Sequence, residues 1–206
     1  MPTGTYSELL AIAGLSMTRN VSKSADTAKI YGDASAPINL PAANAIIGAN
    51  YTNDADSTAT ITATAGHTLV TGKADLYWAA GVRYGCDITV AVNAVDLSGG
   101  AGDAIPATGT ACTLANQVTV NAQIDGDNAK LIGVSATKRT HVDFQDVGNA
   151  TIRALTLQAN EPSIWDSDQA GANPYTGNPI THAHVSNGDS AAAATLQILS
   201  LEDSTP

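Results

Sequence analysis

The sequence predicts an all-β protein of two small sandwich- or barrel-like modules, preceded by a short N-terminal helix and an extended N-terminal arm. Three observations predict it. Beyond Tyr51 apolar and polar residues alternate with a period of two in short segments. Turn chemistry such as Asp125-Gly126 and Asn187-Gly188 separates those segments at regular spacing. Only one stretch, close to the N-terminus, carries a helix signal. The expected division is 1–48 for helix and arm, 49–135 for the first β-module and 136–206 for the second.

The helix signal is Thr5-Tyr6-Ser7-Glu8. There the Thr hydroxyl and the Glu carboxylate can each satisfy a free backbone N–H. Leu9, Leu10, Ile12 and Ala13 follow, and Gly14 can end the turn, so a helix is expected over 5–13. So short a helix is marginal in water and must dock on its own domain or on a neighbour. From Ser16 to about Gly48 the chain is polar, with Pro37 and Pro41 bracketing Ile38-Asn39-Leu40. Proline at that spacing favours extended or turn backbone and excludes a central strand. The stretch reads as an arm lying across a partner, or as an edge strand with long loops.

Thr58–Thr64 alternates Thr with Ala59, Ile61 and Ala63, the pattern of a strand with one solvated face. Strands are expected at Lys73–Ala79 and Asp87–Val95, joined through 80–85, with Ser98–Asp103 as a glycine-rich turn. A strand over 117–124 leads through Asp125-Gly126-Asp127-Asn128, read as a hairpin turn, into Ala129–Val134. His141–Gln145 and Thr151–Gln158 form the next pair, around Val147-Gly148-Asn149. The segment 160–179, with Pro162, Trp165, Pro174, Tyr175 and Pro179, reads as a long ordered loop. Ile180–Val185 and Ala192–Leu201 close the chain as a hairpin across Ser186–Asp189. About ten short strands with almost no helix is the pattern of sandwiches and barrels, and 135–140 is the expected module boundary.

The 206 residues carry 9 Lys plus Arg against 19 Asp plus Glu, a formal net charge of −10. After Arg153 no Lys or Arg occurs, while Glu161, Asp166, Asp168, Asp189, Glu202 and Asp203 all follow it. Gripping a phosphate backbone requires clustered Lys and Arg, so neither nucleic acid nor an anionic membrane is an expected partner. Aromatic residues make up 4%, with one Phe (Phe144) and two Trp (Trp78, Trp165). A buried aromatic removes about 150–250 Å² from water, at roughly 25 cal/mol per Å². An interior of Ala, Val, Leu and Ile gains less against the same backbone entropy, and burial shared between copies is expected to supply the difference.

The start has no basic residue ahead of its apolar stretch and makes a poor signal peptide. No run approaches the roughly 18 apolar residues that span a bilayer. Cys86 and Cys112 are the only cysteines and read as two half-buried thiols or a single disulfide.

No residue pattern announces catalysis. His182 and His184 lie two apart in a strand and face one way, so they could share a metal, yet the nearest carboxylate in sequence is Asp189 across a turn. Asp125-Gly126-Asp127-Asn128 resembles the opening of a calcium loop, but Ala136 stands where the closing Glu belongs. Gly99, Gly100 and Gly102 lead into Asp103 and Pro106 with no Lys, so they do not form a phosphate loop. Asp87 with Asp96, and Asp143 with Asp146, are the carboxylate pairs considered for glycoside hydrolysis. Tyr77-Trp78, and Trp165 with Tyr175, read as core rather than as stacking platforms. No catalytic, cofactor-binding or metal-binding residue is expected.

The stretch Thr68–Leu114, with LYWAAGVRYGCDITV and LSGGAGDAIPATGTACTL, joins the later HVDFQDVGNATIRALTLQANEPSIW and HVSNGDSAAAATLQIL in one style. Short strands, Gly-Asp turns, few charges and small core residues resemble the β-rich structural proteins of tailed-phage particles. That resemblance implies a non-enzymatic subunit of the virion, decorating the head or building the tail tube. Such a subunit assembles in the host cytoplasm and contacts copies of itself and other virion proteins. A bacterial surface or filament subunit, and a carbohydrate-binding module or glycosidase, are the alternatives.

Overall fold

The computed structural model describes residues 10–12, 15–17, 26–32, 35–79, 82–102, 104–167 and 172–203. Over these residues the protein is all-β, in curled antiparallel sheets. Strands β1 (Leu10–Ile12) and β2 (Leu15–Met17) pair as a two-stranded ribbon. Residues 10–12, inside the expected helix, are therefore strand, because a nearby extended partner satisfies their backbone. The remaining positions of that helix lie outside the described residues.

The stretch expected as an arm is used within the chain. It holds β3 (Asp26–Tyr31), β4 (Ile38–Leu40) and β5 (Asn44–Ile46). Strands β3 and β4 pair along one side of β18 (Ala194–Asp203), and β5 pairs with β11 (Cys112–Asn116). Pro37 and Pro41 flank β4, at its ends, where a missing N–H breaks no ladder bond.

Seven strands form the first sheet, in the order β5-β11-β8-β9-β10-β7-β6. The remaining members are β6 (Tyr51–Ala55), β7 (Thr58–Thr62), β8 (Gly72–Trp78), β9 (Val82–Ala91) and β10 (Ala94–Gly102). Its two outer strands, β5 and β6, are joined by residues 47–50 alone, which include a 3-10 turn. So short a link forces the sheet to curl until its edges approach, like a barrel. Across the seam the Gly109 N–H donates to the Tyr51 carbonyl at 3.1 Å. Alternation fills the interior: Ala59, Ile61, Leu76, Ile88, Leu97 and Leu114 are buried, while Thr60 and Thr62 are exposed.

Two expected turns in this sheet are strand. Tyr84 and Gly85 lie in β9, and Ser98–Gly102 continues β10 past a bulge between Ser98 and Ala101. Gly100 is essential to that bulge, since a Cβ there would run into the Gly85 carbonyl and its φ is +141°. The β9–β10 turn instead falls at Val92-Asn93, with Val92 at φ 55°. A β-branched residue there reads as strand, which hides the turn from sequence.

The remaining strands form two further sheets. One runs β12-β17-β14-β15, from β12 (Val118–Ile124), β14 (Thr140–Gln145), β15 (Thr151–Leu157) and β17 (Ile180–Asn187). The other runs β16-β13-β18-β3, with β13 (Ala129–Ala136) and β16 (Ser163–Asp166). Val134, Val142, Phe144, Val185, Leu196 and Ile198 pack in one buried cluster between them. Tyr175 meets Phe144 edge-on at 5.8 Å and Trp165 at 6.4 Å, so the expected long loop supplies a strand and two rings to this core. The chain passes from the first sheet to these two at Gln117; 118–135, placed in the first module by sequence, pairs here.

The Asp125-Gly126 and Asn187-Gly188 turns do not close hairpins. Strand β12 pairs with β17, β13 with β18 and β16, and β17 with β12 and β14, so both turns carry the chain from one sheet to the other. A two-residue type I′ hairpin needs positive φ at both central residues, and neither Gly126 nor Gly188 has one. The hairpin between β14 and β15 does form.

Candidate functional site

Strand alternation builds the site. On β8, Ala74 and Leu76 point into the barrel core, which sends Lys73, Asp75 and Tyr77 to its outer face. On β14, Val142 and Phe144 join the sandwich core, which sends His141, Asp143 and Gln145 to the opposite face. These two polar faces meet. That is why the polar residues Asp75 of β8 and His141 and Gln145 of β14 are buried.

At the closed end of the contact Asp75, with no exposed surface, is the hub. Its Oδ1 accepts from Arg83 Nε at 2.8 Å and Gln117 Nε2 at 3.1 Å, and pairs with the other arm of the guanidinium at 2.6 Å. Its Oδ2 accepts from Ser186 Oγ, which also shares a hydrogen bond with Tyr77 Oη at 2.5 Å. Arg139 lies over the Tyr77 ring, 4.8 Å from its centre, and donates to the carbonyls of Ala79 and Gly188. Gly188 has no room for a side chain: a Cβ would meet Arg139 Nε at 2.8 Å and the Tyr77 ring at 3.1 Å. Burial, and then the Asp75 charge, push the Tyr77 phenol well above its usual range.

Beyond this hub the faces diverge into a cleft of about 580 Å³. Lys73, Arg83, Gly85, Gly100 and Gln117 line one wall; His141, Asp143, Gln145, Thr151, Ala154 and His184 line the other. Asp143 Oδ2 accepts from Gln145 Nε2 at 2.6 Å and Thr151 Oγ1 at 3.2 Å. His141 Nε2, Asp143 Oδ1, Gln145 Oε1 and, away from the cleft, Trp165 Nε1 are buried with no hydrogen-bond partner among the described residues. Burial, with the Arg83 charge beside it, pushes His141 down to about 4. His184, half-buried, is lowered by burial and by neighbouring His182.

No family model, curated protein or solved structure matches this chain. The cleft is therefore read from its own chemistry. Ser186, His141 and Asp75 come together here, but not as a nucleophile relay. The serine hydroxyl bonds directly to the carboxylate, and His141 Nε2 reaches neither. Cys86 borders the cleft, yet burial and then the Asp75 charge push its thiol up to about 12, so it is not a thiolate at neutral pH. Cys112 is likewise raised to about 12 by burial, and both cysteines are free and buried.

The residues singled out in the sequence fall as follows. His182 and His184 lie side by side with ring centres 5.2 Å apart and planes tilted by 57°, and His184 sits opposite Asp143. Asp189 is elsewhere, pairing with Lys138 at 3.4 Å and accepting from the Ala191 and Ala192 N–H groups. Among the described residues no three His, Cys, Asp or Glu side chains are placed to hold a metal ion. Asp125 binds Asn128 and Asp127 binds the Gly177 N–H, so the calcium-like run closes its own turn. Asp87 pairs with Lys73 at 2.9 Å, and Asp96 is exposed on β10. Asp143 and Asp146 part company: the first faces the cleft, the second caps the β14–β15 loop through Gly148, Ala150 and Asn178.

Sequence reading missed Asp75, Arg83, Gln117, His141, Gln145 and Ser186. One signal was available: the polar faces of Lys73–Tyr77 and His141–Gln145 carry bulky titratable groups where β7 carries Thr.

Proposed function

We propose that this chain is a non-enzymatic structural subunit of a tailed-phage particle, self-associating through an open sheet edge. The observation that carries self-association is β15. Among the described residues it is the outermost strand of its sheet and pairs on one side only, with β14. Natural edges are blunted by lysines, prolines or short length. Over seven residues β15 has no proline and one charge, Arg153, with Ile152 and Leu155 packed toward the core. An antiparallel pairing of two β15 strands would be self-complementary and add a hydrogen-bonded ladder without rearrangement.

The chemistry of the cleft supports a non-catalytic reading. Its histidine is neutral, its thiol is protonated, and the Asp75 carboxylate is bound to Arg83, Gln117 and Ser186. Placement in a phage head or tail rests on the sequence resemblance. The clamp expected from 1–48 is narrowed to the residues before β3, because 26–46 completes the sheets of the same chain. Proteomic analysis of purified particles from the chain's source tests the placement: many copies per particle are expected, and absence from the particles overturns it.

A further inference from the structure

We propose that the β1–β2 ribbon is an exchangeable arm, which in the assembly covers the outer face of β13 and β18 on a neighbouring copy. On β18, Leu196 and Ile198 enter the sandwich core, so strand alternation turns Leu199 and Leu201 outward. On β13, Ile132 and Val134 belong to that core and Leu131 does not. Leu131, Leu199 and Leu201 instead form a cluster of their own, with Ala28 of β3 packed against it. They are 4%, 2% and 8% exposed, although the four-stranded sheet lies on the other side, so a further element covers them. Strand β1 lies against β13. Both edges of β13 are taken, by β16 and β18, and its inner side faces the core, which leaves β1 only the outer face.

This cover is separable. Among the described residues β1 and β2 pair only with each other, so no ladder ties the ribbon to the sheet beneath it. Two strands of three residues are not stable alone, and four of their six residues are Leu10, Ile12, Leu15 and Met17, so the ribbon must dock on an apolar face. Residues 18–25 join it to β3, a tether that spans at most about 30 Å and can reach an adjoining molecule. A neighbouring copy offers the same three leucines. Exchange therefore keeps the contacts, and the high local concentration inside an assembly removes most of the cost of finding them. Charge favours the crossing. Between Leu9 and Ala25 the only charged residues are Arg19 and Lys23, whereas the whole chain has a formal net charge of −10. A cationic tether laid between two acidic bodies offsets their repulsion. The proposal rests on the self-association read from β15 and names where the ribbon goes when copies adjoin.

Cross-linking of the full chain tests it, with Ala11→Cys on β1 and Gln197→Cys, half-buried on the outward side of β18; Cys86 and Cys112 are buried and stay silent. A flexible bismaleimide is applied to dilute and to concentrated protein, products are separated by denaturing electrophoresis, and sedimentation reports the mass of the same samples. Links within one chain are expected in dilute monomer, and links between chains should replace them as the main product once the protein assembles. The two single variants, mixed before concentration, should give a dimer containing one of each. Links that stay within one chain in an assembled sample, or no link between β1 and β18 in either sample, overturn the arm and leave the β15 edge standing. A sample that remains monomeric at both concentrations overturns self-association, and the arm with it.

Discussion

Ser186 Oγ donates to Asp75 Oδ2 across 111 positions of sequence, joining β17 of the sandwich to β8 of the barrel. The two sheet systems thus meet through a buried, charged contact and not an apolar one. Such a contact gains little over an apolar replacement but is costly to break on one side.

Asp75→Ala removes the hub, the acceptor that Arg83, Gln117 and Ser186 share. A loss of about 3–5 kcal/mol is expected in urea unfolding. A loss below about 1 kcal/mol, the range of an exposed pair, would contradict the buried hub.

His141 gives stability a pH dependence whose sign follows from its burial. Its folded pKa is about 4, below the unfolded value near 6.5, so the unfolded chain binds the extra proton between these limits. Stability contributed by the neutral ring is therefore complete above about pH 6.5 and falls as the pH drops toward 4, by about 3 kcal/mol. Unfolding free energy measured from pH 7 to 4 should fall over that window and flatten in His141→Gln. His184 adds to the fall in the same direction. Identical profiles for wild type and variant would refute the assignment.

The thiols of Cys86 and Cys112 should be inert in the folded protein, because both are buried and pushed up to about 12. Labelling with a chromogenic disulfide at pH 8 is expected to report none in the native state and both in denaturant. Rapid native labelling would show that one of them is accessible.

Val92 occupies a φ of 55° that suits glycine or asparagine. Its side chain is 84% exposed and contributes little packing. Val92→Asn should raise stability by about 1 kcal/mol, the lower end of the cost of such strain. A decrease in the thermal midpoint would show that this turn is not formed as described.

These residues also mark what was legible in the sequence. The period-two pattern around Ile61 and the Val142/Phe144 face identified strands and their buried sides, because each strand has a clear inward set. Pairing was less visible. Asp125-Gly126 and Asn187-Gly188 signal a turn but not whether the chain returns beside itself or crosses to the opposite sheet. Strands β3 to β5 were hidden because β18 and β11, which complete their ladders, lie far along the chain. The cleft was hidden for the same reason: Asp75, His141 and Ser186 each look like a solvated strand residue until two polar faces are brought together.

On the proposed function the chain assembles with copies of itself through the edge of β15. Sedimentation velocity at two widely separated concentrations tests it most directly. The mass should rise with concentration from the 20.8 kDa monomer to a multiple of it, and Thr156→Lys, which places a charge on the open edge, should hold it at the monomer. A wild-type mass of 20.8 kDa at both concentrations would contradict the claim.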